Sequence, residues 1–222
     1  MRIGLLLLVI FLNACQTTAQ AHERLVAAFD DATFSVAPDR LGQDRIQHNS
    51  RLSRWNNDII YSINFEDGIS GQNTNIIHKS MVKFNDILPI NVIHDGASER
   101  AINLTIEIKQ GEKFLINGNQ QADCYAGFSA NEDSQIEKAE VVISIKNLNG
   151  PNACLEHELM HAIGFSGHTH RIRSILSYFH GEKSLTKWDR FLIETLYSPK
   201  LNAGMERDET LIIVEELAMK QQ

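Results

Sequence analysis

The chain has 222 residues, 43% of them apolar and 22% charged, a balance that supports one packed core. Its formal net charge is −7 and it contains no basic block, which argues against nucleic acid as a partner.

In chain order, Arg2 precedes an apolar run from Leu5 to Leu12, too short to span a membrane and typical of a secretory signal. Leu12-Asn13-Ala14-Cys15 resembles the bacterial lipobox. That resemblance implies a lipoprotein signal peptide over residues 1–14, with Cys15 as the lipidated first residue of the mature chain. The alternative is an ordinary signal peptide in which Cys15 is incidental. Under the lipobox reading the chain meets the membrane only through its N-terminal lipid. Gln16 then implies the cell envelope, at the periplasmic face of the outer membrane. Residues 15–50 show no chemistry: a short helix is expected over Arg24 to Phe34, then a tether with Pro38 and Gly42, acting as a spacer or as a strap across the domain.

The domain proper is expected over 51–205. Ile59, Tyr61, Ile63 and Phe65 alternate with other residues as a half-buried strand, broken by Asp67-Gly68 and Gly71. Thr74 can cap a helix in which Ile77, Met81, Phe84 and Leu88 form a core stripe, stopped by Pro89. Ile90 to Ile93 is a second strand, and Ile102, Leu104, Ile106 and Ile108 a third. Residues 111–131 are polar and Gly-containing, with Phe114, Leu115 and Ile116 inside them. Val141 to Ile145 reads as a buried strand, and Gly150-Pro151-Asn152 starts a helix in which Leu155, Leu159 and Ile163 face the core. Thr186 and Asp189 have capping-box spacing for a helix reaching Tyr197 before Pro199. Residues 206–222 close the chain with an amphipathic helix, Leu211, Val214 and Leu217 inward. The class is α+β, a mixed sheet backed by helices.

Chemistry concentrates between Cys154 and His168. His157 and His161 are four apart, so on a helix both can hold one metal from one face with Glu158 beside them, the HExxH zinc signature. Gly164 can turn the chain at the helix end, and His168, four residues on, can return as a third ligand. Three histidines leave one position for water, the arrangement of catalytic rather than structural zinc. His170 competes with His168 for the third place. Of the three cysteines, Cys124 and Cys154 remain as a disulfide pair if Cys15 carries lipid. The competing idea is that Cys154, three residues before His157, is itself a zinc ligand.

This stretch resembles the metzincin metallopeptidases, whose pattern is HExxHxxGxxH followed by a methionine-containing turn. His157, Glu158, His161 and Gly164 match position by position. The pattern puts its third ligand at Gly167, one residue before His168. Ser174-Ile175-Leu176-Ser177-Tyr178 resembles the family's Ser-Ile-Met-Ser-Tyr turn, Leu176 standing in the methionine's place at nearly conserved volume. Leu185 to Asp189, running into Leu196-Tyr197, is similar to the helix that closes those domains. The resemblance implies a zincin-like mixed sheet with a backing helix, a zinc-site helix and C-terminal helices. It implies Zn2+ on His157, His161 and His168, Glu158 as general base and Tyr178 as donor to the oxyanion. It also implies an edge strand that pairs with an extended peptide, for which Lys113 to Gly118 is the candidate; the alternative for that stretch is a surface hairpin.

The expected function is zinc-dependent endopeptidase action on envelope proteins or peptides, through a zinc-activated water. The alternative is a non-catalytic envelope lipoprotein that uses the same scaffold to bind zinc or peptide.

Overall fold

The alternating apolar runs pair into one sheet. The computed structural model describes residues 20–35, 50–69, 74–97, 100–116, 120–149 and 154–220. The signal segment, Cys15, Pro38, Gly42, Gly71 and Gly150-Pro151-Asn152 lie outside the described residues.

Among the described residues, seven strands and six α-helices follow one another. Helix α1 spans 20–34. Strand β1 (Ile59–Phe65) leads through α2 (Thr74–Asn85) to β2 (Val92–His94), then come β3 (Leu104–Lys109), β4 (Phe114–Ile116), β5 (Gln120–Ala122), β6 (Cys124–Ala130) and β7 (Ile136–Ser144). Helices α3 (Ile145–Asn149), α4 (Cys154–Ala162), α5 (Lys187–Leu196) and α6 (Arg207–Ala218) complete the chain. The main sheet has the order β2-β1-β3-β7-β6. Its first four strands run parallel, and β6 alone is antiparallel, pairing Cys124 with Ile143 and Tyr125 with Val142. The fold is therefore α+β with a mostly parallel sheet.

In β3, Leu104, Ile106 and Ile108 are buried while Thr105, Glu107 and Lys109 are half-buried, so strand alternation sends one row of side chains into the helical layer. Two differences from the sequence reading follow from local context. Ile145 begins α3 instead of ending the last strand. In α6 the buried stripe is Thr210, Val214 and Ala218, with Leu211 and Leu217 only partly covered, because the small residues let the helix lie closer to the core.

The same core includes α1, upstream of Arg51. Its Leu25, Ala28, Phe29 and Ala32 recur at helical spacing and are all buried, and Phe29 meets Phe165 edge-on with ring centroids 6.4 Å apart. Arg207 grips Asp30 with two nitrogens, at 2.7 and 2.6 Å. No helix among the described residues is long and apolar enough to cross a membrane.

Candidate metal centre

Helix α4 carries the first two histidines, and its end is built to a defined geometry. Gly164 N–H donates to His161 O at 3.0 Å and Phe165 N–H to Met160 O at 3.3 Å, the paired bonds of a Schellman cap with glycine at the position that needs positive φ, here +123°. A side chain there would also strike Ser53 O, 2.4 Å from an added Cβ. The carbonyls of Ala162 and Ile163 accept from Trp55 Nε1 at 3.0 Å and Tyr197 Oη at 2.9 Å, so the helix end is closed from two other elements.

The turn aims Phe165 O back at His161, whose Nδ1 donates to it at 2.6 Å. His157 Nδ1 donates in the same way to Ile175 O at 2.8 Å. A carbonyl can only accept, so both rings carry their proton on Nδ1 and, when neutral, present a lone pair at Nε2. These two atoms and His168 Nε2 form a triangle with sides of 3.1, 3.2 and 3.2 Å. Lone pairs facing one another at such distances repel. Nitrogens held about 2.0–2.1 Å from one tetrahedral zinc lie about 3.3 Å apart, so the donor set fits that ion. Burial, and then the neighbouring His157, push the His161 pKa down to about 3, so a proton is a poor substitute for a metal at that ring.

A histidine at 167, where the resemblance placed the third ligand, is excluded sterically. An added Cβ at Gly167 would stand 2.1 Å from Ser35 O and 2.2 Å from Asp31 O, because the end of α1 crosses directly over it. Gly167 N–H donates to Ala32 O at 2.8 Å, Ser166 Oγ to Thr33 O at 2.7 Å, and Arg171 pairs with Asp31 at 2.7 Å. No side chain can occupy 167 beneath that crossing, and His168 enters the triangle instead. His170 is exposed, meets Ser177 Oγ at 3.1 Å and packs on Phe179, apart from the triangle.

The Ser-Ile-Leu-Ser-Tyr turn is held by Asp189. This fully buried carboxylate accepts from Ser174 Oγ at 2.5 Å, from Ile175 N–H at 3.1 Å and from Thr186 N–H at 2.7 Å. The capping box at Thr186 and Asp189 is present, and the same Asp189 holds the N–H of Ile175, the residue whose carbonyl orients His157. Leu176 is fully buried. Tyr178 is 59% exposed, with its ring centroid 4.4 Å from that of His168 and 5.7 Å from that of His157.

Glu158 is buried on α4, and its carboxylate lies within 4.8 Å of the sulfurs of Cys124 and Cys154. Those two cysteines are bonded to each other across a Cα separation of 6.2 Å, joining β6 to the first residue of α4. Its neighbour Glu156, also buried, accepts from Ser80 Oγ at 3.2 Å, Lys83 Nζ at 2.5 Å and Leu185 N–H at 2.8 Å, bracing α4 against α2 and the approach to α5. The sequence reading assigned Glu156 nothing, although a second acid inside the HExxH helix is a visible signal.

The edge strand beside α4 is β6. Phe114–Ile116, the centre of the expected peptide-pairing stretch, instead forms a separate two-stranded hairpin with β5, and residues 117–118 lie outside the described residues. A groove of about 710 Å³ on the opposite face of the sheet, lined in part by Ser62, Thr105, Glu107, Tyr125 and Glu140, includes none of the three histidines.

Compared with known proteins, residues 31–216 match the family model described as a protein of unknown function, DUF2927. The matched span starts within α1 and ends within α6. No curated protein matches the chain.

Proposed function

The chain belongs to the DUF2927 family, and we propose that it is a zinc-dependent endopeptidase of metzincin type, acting on proteins or peptides of the cell envelope. The observation that carries this reading is the convergence of His157, His161 and His168 at 3.1–3.2 Å, with two rings oriented by backbone carbonyls. The α+β fold, the glycine turn after α4 and the turn at 174–178, buried from Ser174 to Ser177 with Tyr178 exposed, support it.

His157, His161 and His168 would hold the ion. When bound, zinc supplies Lewis acidity that polarises a peptide carbonyl and makes water a nucleophile near neutral pH. Glu158 takes a proton from the attacking water and returns it to the leaving amine. Tyr178, exposed beside His168, donates a hydrogen bond to the oxyanion as charge develops. The outer edge of β6 offers main-chain groups to an extended peptide, which adds to the sheet as a further strand. Lipid on Cys15 would keep this site at the periplasmic face of the outer membrane.

The test is a peptide-library cleavage screen on the purified soluble chain, with metal content measured in parallel. Glu158→Gln is expected to retain zinc and lose at least about a hundredfold in cleavage rate. Full activity in that variant sinks the assignment of the base. Stoichiometric zinc with no cleavage of any peptide favours the non-catalytic binding lipoprotein.

A further inference from the structure

A second set of metal-ligating atoms converges beside the histidine triangle. Cys154 opens α4 and Glu158 follows four residues later, so the two share a helix face. Cys124 arrives from the first position of β6. One sulfur from each cysteine and a carboxylate oxygen of Glu158 all lie within 4.8 Å of one another. Both cysteine residues are partly exposed, while Glu158 is buried. Each contributing element is held independently of the disulfide: β6 pairs with β7 along its length, and α4 buries Leu155, Leu159 and Ala162 in the core. Breaking the sulfur–sulfur bond therefore leaves two thiols and a carboxylate side by side.

We propose that reduction of the Cys124–Cys154 disulfide creates a second, redox-gated zinc site from Cys124, Cys154 and Glu158. A dithiol reductant delivers two electrons and two protons to the sulfur–sulfur bond, which breaks, and the dithiol departs as a disulfide. Binding of the metal then releases the two thiol protons to solvent and leaves two thiolates and a carboxylate as ligands. Two soft sulfurs with one oxygen form a donor set that zinc accepts, with its fourth position open. Filling the site draws Glu158 out of its role as base, so that reduction silences hydrolysis. This last consequence rests on the peptidase reading; the site itself does not.

The experiment uses Co2+ as the probe, added anaerobically to the purified soluble chain before and after reduction by a phosphine, which takes its oxygen from water and leaves no competing thiol. Thiolate-to-cobalt charge-transfer absorption reports sulfur ligation alone, and metal analysis gives the total bound. The oxidised chain is expected to show no such absorption. The reduced chain gains it together with one further equivalent of metal, Cys124→Ser abolishes it, and Glu158→Gln weakens binding at the sulfur site at least tenfold. A reduced chain that keeps its helical circular dichroism but shows no thiolate absorption at cobalt saturation overturns the proposal. So does loss of helical signal in the Cys124→Ser/Cys154→Ser chain, since the site needs both elements folded without the bridge. Absorption that appears on reduction of a chain binding no metal when oxidised supports this site and removes the three-histidine reading, so the two fail separately.

Discussion

His168 brings its Nε2 to 3.1 Å from that of His157, whereas His170, two residues on, turns to Ser177 and Phe179. In the proposed site, removing one ligand of three would leave a two-coordinate remnant, so His168→Ala is expected to weaken zinc binding by at least about a hundredfold. His170→Ala should leave it within about threefold, and competition against a chromophoric chelator measures both. Equal losses would move the third ligand. The helical pair His157 and His161 was legible because four-residue spacing determines a helix face. Spacing also favoured His168 over His170, but the reason the histidine stands at 168 and not at 167 was not legible, since it depends on where a distant backbone crosses. Asp189 was legible only as half of a capping box. Its bond to Ile175 N–H spans fourteen residues, and nothing local announces it.

At the scale of elements, α4 is fastened at both ends: by the disulfide to β6, and by Trp55 and Tyr197 at its C-terminal carbonyls. Burial pushes the Tyr197 hydroxyl well above its ordinary acidity range. The unfolded chain loses this proton near pH 10 while the folded chain keeps it, so the associated stability is fully present below about pH 10 and is lost as pH rises further. Tyr197→Phe should cost about 1 kcal/mol at pH 8 and flatten the alkaline fall, read from urea midpoints between about pH 8 and 11. Where α1 crosses the third-ligand loop, Gly167→Ala forces a methyl group against two backbone oxygens. The expected cost is about 2–3 kcal/mol in urea unfolding of the metal-free chain, with weaker zinc binding because His168 shifts with the loop. Strands β1 and β3 were readable from alternation, and α1 as a helix. Strand β6, Cys-Tyr-Ala-Gly-Phe-Ser-Ala, was missed because small residues on a one-sided edge strand carry little alternation.

Across the whole molecule, the three histidines come from α4 and from the loop held under α1, while Ile175 O and Asp189 bring in the later turn and α5. Metal binding therefore bears on the folding of segments far apart in the chain. At a free zinc concentration one hundred times its dissociation constant, the folded state gains about 2.7 kcal/mol. Chelation should thus lower the melting midpoint by roughly 5–10 °C, and calorimetry with and without chelator checks it. No shift in a chain that has been shown to carry zinc would mean that the unfolded chain binds the ion as tightly as the folded one. The α+β class was legible from the order of strand and helix periods. The inclusion of α1 in the core was not, because partners such as Phe165, Gly167 and Arg207 lie more than a hundred residues later.

The crossing of α1 over Gly167 also constrains how the family can vary. A side chain at 167 and the backbone of 31–35 in its present course are mutually exclusive. Relatives that keep this course should keep glycine at 167 and the histidine one place after it. Relatives with a bulkier residue there should also differ in the N-terminal segment, so the two regions should covary despite their separation in the chain. A search requiring the histidine at 167 passes over the first group, in which its one-residue displacement is a consequence of two chain segments meeting.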